Sequence, residues 1–170
     1  LSAQLEQLRG NLKVLANIAA LSVDPEMVRA IPLTRAGVQT EAFRAVSEKL
    51  VMIKQENPLI GYIYILARTD REKTLQFVAD ADPYLAKKGN VTAYPGDPYD
   101  ATPFPQMLAG FKAPSVDPDI AEDSWGKMIS GYAPIRDKQG ETVAILGIDV
   151  MASDIYEAQK AISGWIFLVL

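Results

Sequence analysis

Leucines recur at alternating spacings of four and three at the start of the chain: Leu1, Leu5, Leu8, Leu12, Leu15, then Ala19. Gln4, Glu6, Gln7, Arg9 and Lys13 lie off that seam. The pattern predicts one long amphipathic helix with an a/d stripe. Such a stripe can pair with a second copy of the chain or with a later helix of the same chain. Asp24-Pro25-Glu26 marks a second helix start, with Asp as N-cap, Pro at the first helical position and Glu in the first turn. It should end at Ile31, ahead of Pro32. A third helix is predicted over 40–56, with Phe43, Val46, Leu50 and Ile53 on one face and Asn57-Pro58 as its stop.

The hydrophobic period then changes from 3.6 to 2. Residues 60–68 read as a strand, with Tyr62, Tyr64 and Leu66 on one face and Ile63, Ile65 and Ala67 on the other. The polar turn 69–73 and a second strand over 74–80 complete a hairpin. Another hairpin is predicted from 128–136 and 142–150 around Asp137-Lys138-Gln139-Gly140, where the glycine suits a left-handed turn residue. Between the hairpins, 81–124 holds seven of the eleven prolines together with Tyr84, Tyr94, Tyr99, Phe104 and Phe111. A long segment so rich in aromatics reads as a binding loop or lid rather than a linker, with a short helix near 106–110. Ser153 can cap a last helix through Tyr156 and Ile162. The order is helices, hairpin, aromatic-proline segment, hairpin, helix. It makes the fold α+β, an antiparallel sheet with helices packed at one side.

Composition narrows the chemistry. The chain has 170 residues, 49% hydrophobic and 22% charged, enough for one domain with its own core. With no Cys and no His, thiol nucleophiles, Ser-His pairs, Cys- and His-based zinc sites and attached haem are excluded, and no cofactor or metal is expected. A net charge of −4 without a basic stripe argues against nucleic acid as a partner. The first residue is Leu and no signal peptide is visible, so the chain reads as a piece of a longer protein. Trp165 to Leu170 form an apolar run too short to cross a bilayer. It predicts either a buried C-terminal element or the first part of a transmembrane helix with Trp165 at the headgroups.

Asp123-Ser124-Trp125-Gly126, Ile129-Ser130-Gly131-Tyr132-Ala133-Pro134-Ile135-Arg136-Asp137, Gly140 and Ile145-Leu146-Gly147-Ile148-Asp149-Val150 together resemble the Cache superfamily, the PAS-like extracytoplasmic sensors of bacterial membrane receptors. Tyr94-Pro95-Gly96-Asp97-Pro98-Tyr99-Asp100, Tyr62-Ile63-Tyr64 and Phe77-Val78-Ala79-Asp80 resemble its single-module group, in the right order. The resemblance implies a PAS-like central antiparallel sheet with a long N-terminal helix alongside and a small-molecule pocket on one sheet face. It also implies a last helix that enters the membrane. Residues 1–162 would then be one sensor domain, helical over 1–57 and carrying the sheet and pocket segment over 58–150. Residues 163–170 would begin a transmembrane helix, with the domain outside the inner membrane. One departure stands out: amino-acid-binding members carry an Arg before a Trp-Tyr pair, whereas Thr102-Pro103-Phe104-Pro105-Gln106-Met107 has none. Asp149 matches the Asp that meets the ligand amine in those receptors, but that Asp also occurs in members of other specificity.

The candidate ligand-binding residues are Tyr62, Tyr64 and Tyr132 on the sheet, Asp80 and Asp149 near strand ends, and Tyr94, Gly96 and Tyr99 in the aromatic-proline segment. Each has a plainer reading: cross-strand packing for the strand tyrosines, turn or capping work for the aspartates, loop anchoring for the rest. Trp125 reads as core or loop anchor. Asp97, Asp100, Asp117, Asp119, Glu122 and Asp123 read as solvated acidic surface, because their spacing fits no calcium loop. The expected function is an extracytoplasmic small-molecule sensor, not an enzyme, binding a small polar ligand such as a short carboxylate. Homodimerisation is expected through the N-terminal helix, and membrane attachment through flanking helices. The competing reading is a ligand-free dimerisation or scaffold module. A carboxylate-pair glycosidase is a distant third, since no such pair stands out.

Overall fold

The computed structural model describes residues 2–81 and 93–155. Helix α1 (Ser2–Leu21) is followed by α2 (Pro25–Ala30), a 3-10 turn (Arg35–Gln39) and α3 (Glu41–Glu56). Asp24 caps α2 as the sequence predicts, and Thr40, read as the first residue of the third helix, is its N-cap. The Asp24 side chain accepts from the Glu26 amide and the Thr40 side chain from the Phe43 amide. Phe43, Val46 and Leu50 are buried, and each such side chain contributes about 1.5–3 kcal/mol relative to exposure.

Seven strands form one antiparallel sheet: β1 (Tyr62–Arg68), β2 (Thr74–Asp80), β3 (Pro98–Asp100), β4 (Ser115–Val116), β5 (Ala121–Asp123), β6 (Gly126–Arg136) and β7 (Thr142–Met151). Their spatial order is β3-β2-β1-β7-β6-β4, with β5 also on β6, and a short helix α4 (Pro105–Ala109) precedes β4. Both predicted hairpins are present, and Gly140 takes φ +82° in the second turn. The strands β3, β4 and β5 were not foreseen. Two or three residues leave no periodicity to read, and Pro98 is tolerated because β3 is an edge strand.

Strand alternation divides the core in two. Ile63, Ile65, Ile129, Ala133, Leu146, Ile148 and Val150 face the helices. Tyr64, Leu66, Phe77, Tyr132 and Ile145 face the segment that contains Phe104, Met107 and Phe111. The leucine seam of α1 packs on the sheet. Leu12 is buried against the sheet, and Leu5, Leu8 and Leu15 pack at the margin of the same core. Contact is close because β6 offers Gly131, where a Cβ would lie 2.8 Å from Leu12 Cγ. Ala16, Ala19 and Ala20 are buried as well, whereas Val14, Ile18 and Leu21 stay exposed on another side of α1.

A helical turn begins at Ala152, one residue before the Ser153 expected to cap it. The continuation through Tyr156 and Ile162, and the apolar run 165–170, lie outside the described residues.

Candidate functional site

The loop-covered face of the sheet carries a cleft, and side-chain parity decides what lines it. Tyr62 pairs with Asp149, and Tyr64 with Asp80 on one side and Gly147 on the other. Plain alternation from Phe77 would aim Asp80 at the helices. The β1–β2 register instead jumps from Leu66↔Phe77 to Ile65↔Ala79, which leaves Val78 as an extra residue. That bulge turns Asp80 back to the face of Phe77 and Tyr64, a common use of bulges beside functional sites.

Five rings wall the cleft, those of Tyr62, Tyr64, Phe77, Tyr99 and Trp125, and three carboxyl groups join them, Asp80, Asp123 and Asp149. Phe77 sits at the centre of the rings, 6.1 Å from Tyr64, 5.9 Å from Tyr99 and 5.8 Å from Trp125 between centroids. Tyr64 can lie across β7 because position 147 has no side chain: a Cβ there would be 2.5 Å from Tyr64 Cζ. The Tyr64 hydroxyl donates to Asp149 Oδ1 at 2.9 Å, and the Tyr99 hydroxyl donates to Asp123 Oδ2 at 2.7 Å. Asp123 Oδ1 accepts from the Trp125 amide at 2.8 Å, which fixes the β5–β6 turn over the cleft. The empty space amounts to about 280 Å³ including its mouth, but only about 20 Å³ is wide enough to seat water.

Asp149 is 4% exposed and Asp80 is 3% exposed. Burial pushes the Asp149 carboxyl up to about 8, against hydrogen bonds from Ser130 and Tyr64 and with the help of nearby Asp123 and Asp117. Burial also raises Tyr64 well above an ordinary phenol, with Asp149 adding to it, and raises Tyr99, with the Asp123 bond adding to it. Asp117 is pushed up to about 6 by burial, opposed by Tyr132, Ser130 and Arg9. Ser130 pairs with Asp149 across β6–β7 and bonds both Asp149 and Asp117.

Of the eight residues singled out in the sequence, Tyr62, Tyr64, Asp80, Tyr99 and Asp149 meet in this cleft. The other three lie elsewhere. Tyr132 is buried on the same face, its hydroxyl donating to Asp117 Oδ2 at 3.3 Å. Tyr94 lies under the Arg35 guanidinium at 4.5 Å. Gly96 takes φ +88°, gives its amide to the Phe77 carbonyl, and leaves no room for a Cβ against Leu33. Tyr94 and Gly96 thus tie the loop to the β2 edge and to the 3-10 turn. Phe77, Asp123 and Trp125 line the cleft without having been proposed. Asp123 read as surface because the folding of its loop over the sheet leaves no mark in local pattern.

A roomier groove, with about 210 Å³ wide enough to seat water, runs between α1 and the α3–β1 connection, lined by Leu8, Leu12, Leu15, Leu59 and Ile60 among others. Its walls are mostly aliphatic, with Asn11, Glu56 and Asn57 as its polar members, and it holds no aromatic ring and a single carboxyl group against the five rings and three carboxyl groups of the sheet-face cleft. The sheet-face cleft is therefore the candidate site despite its smaller volume.

The fold is similar to that of ligand-binding and sensory domains of bacterial receptors. The ligand-binding domain of the Campylobacter jejuni chemoreceptor Tlp3, solved with 4-methylisoleucine, superposes with a TM-score of 0.57 at 12% identity over 89% of this chain. The Escherichia coli DcuS sensor domain does so with a TM-score of 0.58 at 14% identity, again over 89% of this chain. The periplasmic sensory domain of the C. jejuni chemoreceptor Tlp1 gives 0.50 at 11% identity, over 91%. The chain spans 54% of the Tlp3 domain and 57% of the Tlp1 domain, but 94% of the DcuS domain. No protein-family model matches the chain, and no curated protein matches its sequence.

Proposed function

We propose that this chain is the extracytoplasmic sensing domain of a membrane-bound signalling receptor and that it holds a small polar solute in the sheet-face cleft without turning it over chemically. The observation that carries this reading is the convergence of five aromatic rings and three carboxyl groups on one concavity of a sensor-type fold. Further support comes from where the cleft sits. Asp149 lies three residues before the helical turn at Ala152. On the other side of Ser130, the Asp117 carbonyl accepts from Arg9 Nε of α1 at 3.0 Å. Occupancy at Asp149 would thus be felt at both the first helix and the last. The ligand shifts that equilibrium only by its differential affinity for the two arrangements. Because the cleft is narrow, entry of a multi-atom ligand requires the Tyr99–Trp125 wall to move outward.

Two partner readings accompany this one. Membrane attachment, at the bacterial inner membrane with the domain outside, rests on the apolar run 165–170. Among the described residues no helix is long and apolar enough to cross a membrane. Dimerisation through α1, if the receptor uses it, would draw on Val14, Ile18 and Leu21, because the leucine seam already lies on the sheet.

The test is a thermal-shift panel of small carboxylates, amines, amino acids and polyols on the wild-type chain and on Trp125→Ala. The expected result is a rise in Tm with one chemical class that the variant loses, since binding to the native state alone stabilises it. No rise with any compound, or a rise that Trp125→Ala leaves intact, would overturn the reading.

A further inference from the structure

We propose that the tip of the β5–β6 hairpin, residues 122–127, is the door of the cleft, and that the hydrogen bond from Tyr99 to Asp123 is the latch that holds it shut. This deepens the sensor reading and rests on it, since it names the part of the wall that moves when a solute enters. The pairing of β6 with β7 begins at Met128↔Met151. Glu122↔Lys127 and Asp123↔Gly126 lie beyond that point and pair within the hairpin. Among the described residues the tip therefore overhangs the end of β7. It carries Trp125 to 5.8 Å from the Phe77 ring and 5.8 Å from the Tyr99 ring. Gly126 gives the overhang its shape, with φ +132°, a conformation that side chains oppose. The atom nearest to a Cβ there would be Met151 Cε at 3.1 Å, the far end of a flexible side chain. A glycine beside a soft neighbour at the end of a strand is a place where a hinge can absorb the change.

The opposite side of the mouth is fixed. Tyr99 pairs with Leu75 in the β2–β3 ladder. On either side of it the Phe77 amide donates to the Asp97 carbonyl and the Ala101 amide to the Lys73 carbonyl, both at 2.9 Å. The Tyr99 hydroxyl spans the mouth to Asp123 Oδ2 at 2.7 Å, while Asp123 Oδ1 accepts from the Trp125 amide. Latch and ring therefore travel together. An outward swing of the tip breaks the Tyr99–Asp123 bond and two ring contacts and keeps the bonds inside the hairpin. With the door shut only about 20 Å³ is wide enough for water, so a larger solute waits for the swing.

The chain has no cysteine, so a single introduced thiol reports access without background. Asp80→Cys places one inside the cleft, and Ser47→Cys places one in the core on the helix side of the sheet. Each is labelled in the native 170-residue chain with methyl methanethiosulfonate, a small neutral reagent, with and without Tyr99→Phe, which keeps the ring and removes the latch hydroxyl. Native circular dichroism is checked throughout, and Asp149→Cys replaces Asp80→Cys if that variant does not fold. Tyr99→Phe should speed labelling in the cleft by roughly two- to tenfold, as the loss of one net hydrogen bond from the shut state implies, and leave the Ser47→Cys rate unchanged. Cleft labelling at the wild-type rate overturns the proposal, and so does an equal acceleration at both thiols, which would mean general loosening. No ligand enters the experiment. Its failure removes the door alone, whereas a panel without any Tm rise removes the sensor reading.

Discussion

The ring of Tyr64 lies across the bare backbone of Gly147, and from there its hydroxyl reaches Asp149 at 2.9 Å. The glycine is what permits both the ring position and the bond. Gly147→Ala should displace the ring, cost about 1–3 kcal/mol by overpacking, and impair ligand response. Urea denaturation measures the first effect and titration the second. A variant as stable as wild type with unchanged binding would show that the ring has somewhere else to go.

Asp149 should make stability depend on pH. Its carboxyl is raised by burial to about 8 in the folded chain, against an ordinary value of 3.8. Between those values the folded state holds the proton more tightly than the unfolded state. Stability therefore falls as pH rises from about 4 towards 8 and levels off above, by an amount on the order of a few kcal/mol. Asp117, raised to about 6, adds to the fall at the lower end of the window. Asp149→Asn should flatten the slope, gaining on wild type at pH 8 relative to pH 5. Parallel stability–pH curves for the two proteins would remove Asp149 as the cause.

Two glycines separate docking from propensity. Gly131→Val should loosen α1 from the sheet, because even a Cβ there meets Leu12 side chain and backbone, with a loss of about 1–3 kcal/mol. Gly10→Ala, with nothing within 4 Å of the new methyl, should stabilise by roughly 0.5–1 kcal/mol through helix propensity. Melting curves of the pair decide whether α1 is held mainly by packing at Gly131.

The long elements were legible because their signals are local. The cap at Asp24, the stop at Asn57-Pro58 and the two hairpins all follow from residues adjacent in sequence. Strand alternation likewise placed Tyr62 and Tyr64 on one face, whereas the pairing of Asp149 with Tyr62 emerged only in the sheet. What stayed hidden depended on distant pairing. The bulge at Val78 that aims Asp80 inward is a property of two strands. The leucine seam described a helix correctly but not its partner, since a sheet and a second helix ask for the same apolar stripe. Asp123 and Trp125 reached the cleft through β5, a strand of three residues held by pairing with β6. Tyr94 and Gly96 carried turn and aromatic signals that suit a loop anchor as well as a ligand contact, and their contacts are with Arg35 and Leu33.

The central claim is that the sheet-face cleft is where a small solute binds. Amide chemical-shift mapping by NMR, with whichever compound of the thermal-shift panel gives the largest Tm rise, tests it most directly. The account predicts that the largest shifts fall at 62–64, 77–80, 99, 123–125 and 147–149, with α2 and the 137–140 turn unmoved. Shifts confined to the α1 groove around Leu8, Leu12 and Leu59, with the cleft residues silent, would contradict it.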